Sequence, residues 1–171
     1  ALALSMRAHR HGGSLLVVPH GSEGWRSSIL KPVPYTIAPP FSKLGQFVKS
    51  GVRDGAFKDA VDAIGGLTAV DGAVVLSDEY DVLAFGAKLV RTDSGALLDE
   101  VLVREPVVGD AAVKVDPSEL GGTRHLSAAQ FVFEQRDSLA LVASQDGRFT
   151  VFGWSPRAAM VLAYRVEALL L

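Results

Sequence analysis

The sequence predicts a single α/β domain in which a central mixed β-sheet is flanked by helices, and three observations carry that reading. Short apolar runs bounded by turn residues, among them Ser14–Val18, Ala73–Leu76, Val82–Phe85 and Leu139–Ala143, have the length of buried strands and not of helices. Longer stretches between them place apolar residues near helical spacing. The chain has 171 residues, which suits one hydrophobic core, because cores commonly reach about 100–200 residues before a chain divides.

Taken in order, Leu2 to Arg10 holds helix formers with a basic end, and Gly12-Gly13 supplies the reversal that follows a helix C-terminus. The helix and its turn occupy residues 1–13. Ser14 to Val18 then carries two β-branched residues before Pro19 and reads as the first core strand. Over residues 20–40 the prolines Pro32, Pro34, Pro39 and Pro40 forbid a continuous helix, while Trp25, Ile29 and Tyr35 offer apolar anchors. That segment is expected to be an extended strap.

From Phe41 the apolar positions Leu44, Phe47, Val52, Ala56, Ala60 and Ile64 recur near helical spacing, with Gly51 and Gly55 dividing two helices. Ala73–Leu76 and Val82–Phe85 flank the polar Ser77–Asp81 and form a hairpin. Val101–Val103 and Ala111–Val115 flank Pro106 and Gly109, and this reads as an appended hairpin or long loop outside the minimal fold, within an insertion at 92–120. Ser127 to Gln135 is a helix, and Ser138–Ala143 and Phe149–Phe152 make a second hairpin around Gln145–Arg148. Ser155-Pro156 combines a capping residue with proline at the first helical position, so Ala158–Leu171 is expected to be a closing helix.

Composition narrows the function. With 49% hydrophobic and 21% charged residues the chain is of ordinary globular type. A net charge of −2 gives no global reason to bind a polyanion, so DNA is not an expected partner. The absence of cysteine removes disulfides, thiolate zinc sites and a cysteine nucleophile, and fits a reducing compartment, for which the cytoplasm is the simplest reading. The apolar stretch from Met160 is interrupted by Arg165 and Glu167, too short and charged for a span of roughly 20 apolar residues. The start on Ala1 reads as a segment of a longer chain with a missing neighbour.

Two local patterns bear chemistry. Asp71-Gly72-Ala73 sets a carboxylate and a glycine just before a buried strand. There the carboxylate could hold a divalent metal or accept a hydroxyl proton, and the glycine lets a ligand approach the backbone; alone, Asp-Gly is a common turn. Gly121-Gly122-Thr123-Arg124-His125 puts flexible residues, a hydroxyl, a guanidinium and an imidazole at a helix start, which suits phosphate oxygens, although a glycine turn with a Thr123 cap would look the same.

Other patterns are weaker. His9 and His11 lack a third ligand, no serine stands in a Gly-x-Ser-x-Gly setting, and no phosphate-loop or dinucleotide fingerprint is present. Trp25 and Trp154 read as core or strap anchors. Phe131 and Phe133 fall on different faces of their helix, so at most one is expected in the core.

The ordered set of Gly12-Gly13-Ser14-Leu15-Leu16-Val17-Val18, Asp71-Gly72-Ala73, Ala84-Phe85-Gly86-Ala87-Lys88-Leu89, Gly122-Thr123-Arg124-His125 and Leu141-Val142-Ala143-Ser144 resembles the diadenylate cyclase domain superfamily. The resemblance spans most of Gly12 to Phe152. It implies a diadenylate-cyclase-like α/β fold and an adenine-nucleotide site. In that site Asp71 binds metal, Mg²⁺ or Mn²⁺ arriving with the nucleotide, and activates a hydroxyl. By the same resemblance the backbone at Gly86, Ala87, Lys88 and Leu89 frames the adenine, Thr123, Arg124 and His125 meet phosphate, Gly72, Ala73 and Gly122 also belong to the nucleotide site, and Ser144 lies near the nucleotide.

Leu126 and Gln145 stand where that family has an arginine and a glutamate, and the connection from Arg91 to Leu120 is longer. These departures resemble the divergent sensor branch labelled DACNV. The resulting expectation is a cytoplasmic sensor that recognises an adenine nucleotide or cyclic dinucleotide and controls a fused or partner effector. The alternatives are a divergent cyclase acting in a homo-oligomer and a ligand-free protein-interaction domain.

Overall fold

Along the first two central strands, alternate side chains serve two different cores. Strand β1 (Gly13–Val18) sends Leu16 and Val18 to one face and Leu15 to the other, and β3 (Ala73–Ser77) sends Ala73 and Val75 to the first face and Val74 and Leu76 to the second. Strands buried on both faces read as continuous apolar runs, which is why these two were legible as runs and not as alternations. In the computed structural model the described residues are 1–166 except 94, 108 and 110.

The nine strands among the described residues form one mixed sheet in the order β2-β4-β3-β1-β7-β8-β9-β5-β6. These are β2 (Tyr35–Phe41), β4 (Val82–Ala87), β5 (Val101–Arg104), β6 (Val113–Val115), β7 (Leu139–Ala143), β8 (Phe149–Ser155) and β9 (Met160–Arg165), with β1 and β3 as above. The pairs β1–β3 and β5–β9 are parallel and the other neighbours antiparallel. Helices α1 (Leu2–Ala8), α2 (Lys43–Ser50) and α3 (Gly55–Leu67) cover one face through Met6, Leu44, Val61 and Ile64. Helix α4 (Thr123–Glu134) covers the other through Ala128, Ala129, Phe131 and Val132. Phe131 is buried and Phe133 only half-buried, as their positions on the helix predict.

Glycine sets two of these contacts. A Cβ on Gly65 would lie 2.3 Å from the Ser5 Oγ of α1, and one on Gly13 would lie 2.5 Å from the Thr68 carbonyl oxygen. The hydrogen atoms present instead let α1 lie against α3, and let β1 enter the sheet beside the end of α3. Helix α2 ends at Gly51, whose φ of 74° is the left-handed cap that glycine adopts without a Cβ clash. Asp54 caps α3 by accepting a hydrogen bond from the Phe57 N–H at 3.0 Å.

Three expectations need correction. The 20–40 strap is not extended throughout: a 3-10 turn at Gly24–Ser28 buries Trp25, Ile29 follows in the core, and only Tyr35–Phe41 runs as an edge strand beside β4. The 92–120 segment is not an appendage. Its β5 lies between β9 and β6 inside the sheet, and Leu98, Val101, Val103 and Leu120 are buried in the α4-side core.

The closing helix expected over Ala158–Leu171 is, where described, strand β9. Ser155 and Pro156 lead into a turn in which the Ala158 N–H donates to Ser155 Oγ, and the chain returns antiparallel to β8. A period of two outweighs helix propensity here, since Val161 and Ala163 are fully buried while Tyr164 is exposed. Residues 167–171 of that expected helix lie outside the described residues.

Candidate functional site

Strand register brings four distant segments to one end of the sheet. Ala73 of β3 pairs with Ser14 of β1 and with Ala87 of β4, and Ser14 pairs with Val142 of β7. The row Ala87–Ala73–Ser14 therefore consists of small side chains, and Ala73 and Ala87 face the α4 side. Helix α4 begins over the same end. Between the small row and the helix start lies a cleft of about 490 Å³, within the range of roughly 300–1,000 Å³ usual for small-molecule sites.

The cleft collects the sequence-predicted residues. Asp71, Gly72 and Ala73 enter from the start of β3, Ala87, Lys88 and Leu89 from the end of β4, and Gly122, Thr123, Arg124 and His125 from the start of α4. Ser144 enters from the turn after β7. Gly86 is the exception: it is buried and does not line the cleft, but it supports the floor. A Cβ on Gly72, where φ is 115°, would lie 2.4 Å from the Gly86 carbonyl carbon. Ser14, Ser127 and Gln145 line the cleft outside the expected set.

The mouth carries the charges. Lys88 Nζ lies 3.3 Å from Asp71 Oδ2, with the Asp71 side chain 85% exposed and that of Lys88 55% exposed. Arg124 is also exposed, and among the described residues no carboxylate pairs with it. Its Nη1 would lie 3.0 Å from a Cβ on Gly12, whose φ of 66° keeps the position to glycine and leaves the guanidinium its place. Gln145 closes that side by donating from Nε2 to the His11 carbonyl at 3.3 Å.

Helix α4 starts at Gly122, which is extended and supplies no side-chain cap. A start of this kind turns backbone N–H groups and the positive end of the helix dipole toward the cleft, the arrangement that accepts anionic oxygens. His125 plays a different part from its neighbours: it is 3% exposed, packs edge-on against Phe152 with ring centroids 6.2 Å apart, and sits under the Gly121 turn. A Cβ on Gly121, where φ is 146°, would lie 2.9 Å from His125 Nδ1. The imidazole thus seats the glycine turn from below.

In the turn after β7, Asp146 is held below the usual carboxylate range, first by a hydrogen bond from the Ser144 hydroxyl and then by the Arg148 backbone N–H. Ser144 reaches the cleft from a turn that also fixes its backbone, since its N–H donates to the Arg148 carbonyl at 2.9 Å.

Among the described residues Asp71 is the one carboxylate lining the cleft, and it faces an ammonium. Mg²⁺ is usually held by one or two carboxylates together with ligand phosphates, so these residues do not by themselves form a resident metal site. At the opposite end of the sheet, potential ligand atoms of His20, Glu79 and Asp81 lie within 4.8 Å of one another. Glu79 is engaged there by Lys49, whose Nζ donates to it at 2.7 Å, lowering the Glu79 pKa and raising that of Lys49.

Among the described residues no helix is long and apolar enough to cross a membrane. No protein-family model matches the chain, and no curated protein matches it. Among solved structures it is similar to a "hypothetical membrane spanning protein from Bacillus cereus", with 20% identity and a TM-score of 0.48. The alignment covers 88% of this chain and 55% of that one, so this chain spans about half the length of the protein it matches.

Proposed function

We propose that this domain is a nucleotide sensor: its cleft takes an adenine nucleotide or cyclic dinucleotide, and occupancy controls an attached or partner effector. The observation that carries the proposal is the convergence of Asp71-Gly72-Ala73, Ala87-Lys88-Leu89, Gly122-Thr123-Arg124 and Ser144 on one cleft. These segments are up to about seventy residues apart in sequence, and they are the ones the resemblance to diadenylate cyclase domains assigns to nucleotide contact.

The chemistry of each wall supports the division of labour. The β3–β4 wall is small and backbone-rich, with Gly72 and Ala73 opposite Ala87 and Leu89, which suits the flat face and edge of a base. The α4 wall offers a guanidinium, a hydroxyl and an uncapped helix start, which suit phosphate. Sensing is favoured over synthesis because Leu126 supplies no charge where joining two triphosphates would need one.

Isothermal titration of the chain with ATP, AMP and cyclic di-AMP tests the reading. Saturable one-site binding that Arg124→Ala weakens supports it. Absence of binding by all three, on a protein that melts cooperatively, refutes it.

A further inference from the structure

We infer that the cleft is matched to a nucleotide phosphodiester, recognised without a metal ion, and that Lys88 sets this preference by neutralising Asp71. The inference rests on the nucleotide reading above and narrows its ligand class.

The argument is one of charge. The lining holds one carboxylate, Asp71, and two fixed cations, Lys88 and Arg124. Lys88 lies 3.3 Å from Asp71, and the pair sums to zero. The pair is exposed and so contributes at most about 1 kcal/mol to stability, but its charge balance does not depend on its strength. Among the described lining residues Arg124 is left as the one uncompensated charge, joined by the α4 N-terminus with about half an elementary charge.

Each phosphodiester group carries a single negative charge, so cyclic AMP brings one and cyclic di-AMP two, both close to that balance. A triphosphate carries several, and without a divalent ion most of them would face no cation in the cleft. Among the described lining residues, the carboxylate that could hold such an ion is Asp71, where the Lys88 ammonium already stands and repels a second cation. The side of the cleft that could recruit metal is thus occupied by the protein's own positive group. The remaining polar lining, Ser14, Thr123, Ser127 and Ser144, consists of neutral hydroxyls that can donate to phosphate or ribose oxygens without demanding further charge.

The experiment is calorimetric titration of the chain with cyclic AMP, cyclic di-AMP and ATP, each in EDTA and again in Mg²⁺, on wild type and Lys88→Gln. The expected result is that at least one of the two phosphodiesters binds wild type equally in EDTA and Mg²⁺, and about tenfold or more tighter than ATP in either buffer. In Lys88→Gln, where Asp71 is released, ATP binding is expected to gain a dependence on Mg²⁺ that wild type lacks. ATP binding that equals or exceeds both phosphodiesters overturns the inference while leaving the nucleotide reading in place. Phosphodiester binding that requires Mg²⁺ overturns it in the same way, as does a Lys88→Gln protein whose ATP binding stays indifferent to Mg²⁺. Failure of all three probes to bind a folded wild type overturns both.

Discussion

Gly72 and Gly86 touch through bare backbone: a Cβ on Gly72 would stand 2.4 Å from the Gly86 carbonyl carbon and 2.6 Å from its oxygen. Gly72 has φ of 115° and Gly86 has φ of 66°, so both residues use conformations that side chains rarely adopt. This contact lays the start of β3 against the end of β4, beneath the cleft. Gly72→Ala is therefore expected to destabilise the domain by roughly 1–3 kcal/mol. For a chain of this length that corresponds to roughly 2–4 °C in melting temperature per kcal/mol. Calorimetric melting measures it, and an unchanged midpoint would show that the strands can part at no cost.

Arg124→Ala is expected to leave the fold intact and to weaken nucleotide binding by about ten- to a hundredfold, the worth of a charge-assisted hydrogen bond of roughly 1.5–3 kcal/mol. The side chain is exposed and its exposed neighbour Gly122 provides the helix start by backbone alone. Titration calorimetry against the best-binding nucleotide, with circular dichroism as the fold control, separates lost recognition from lost structure.

The site was more legible in the sequence than the periphery of the fold, and the reason lies in range. Asp71-Gly72-Ala73 and Gly122-Thr123-Arg124, which line the cleft, are runs of residues adjacent in the chain, so the chemistry they offer can be read locally. Ser14 joins the site only because register sets it beside Ala73, and its one sequence signal is a polar residue opening an apolar run. The hairpin of β5 and β6 was legible, but its place beside β9 in the sheet was hidden for the same reason. The parallel partner of β5, strand β9, lies about sixty residues further on, Val101 pairing with Val161 and Val103 with Ala163. Local cues there pointed elsewhere: Ser155-Pro156 resembles a helix start, and Pro106 and Gly109 resemble the edge of a loop.

Deletion of residues 101–115 is expected to abolish cooperative unfolding. The sequence alone expects the opposite, but Val101 is fully buried and β5 covers the outer edge of β9. Its removal would uncover Val161 and Ala163, both fully buried, and leave the backbone of β9 unpaired on that side. Differential scanning calorimetry decides: a sharp transition in the deletion product would return the hairpin to the status of an appendage.

Ser144→Ala is expected to raise the pKa of Asp146 toward the ordinary aspartate value, because the Ser144 hydroxyl is the largest cause holding it down. The sign for stability follows from linkage. A carboxyl depressed in the folded state favours folding at pH above its unfolded pKa, and the contribution disappears as pH falls through the folded value. The effect is thus confined to acid below the ordinary value of 3.8 and is absent at neutral pH as a pH dependence. Titration of the Asp146 carboxyl carbon by nuclear magnetic resonance in both proteins reads it directly, and identical curves would disprove the contact.

The chain is expected to form little or no cyclic di-AMP from ATP with Mg²⁺ or Mn²⁺, even where it binds a nucleotide. Joining two triphosphates needs both molecules oriented together and the charge that develops at the attacked phosphorus stabilised, largely by positioned cations. Leu126, next to His125 on the first turn of α4, is 40% exposed and brings no charge to that end of the cleft. Lys88 is turned to Asp71, with Nζ 3.3 Å from Oδ2, so the carboxylate that would activate a hydroxyl is already engaged by an ammonium. Loss of one electrostatic donor can cost on the order of 10²–10³ in rate, whereas in the proposed site ground-state binding would survive on Thr123, Arg124 and the helix start, groups that would meet substrate and transition state alike. Product analysis by chromatography and mass spectrometry, with Asp71→Asn as control, measures the outcome. Abundant cyclic di-AMP that disappears in Asp71→Asn would establish synthesis in place of sensing, with Arg91 or a second subunit as the first place to look for the missing charge.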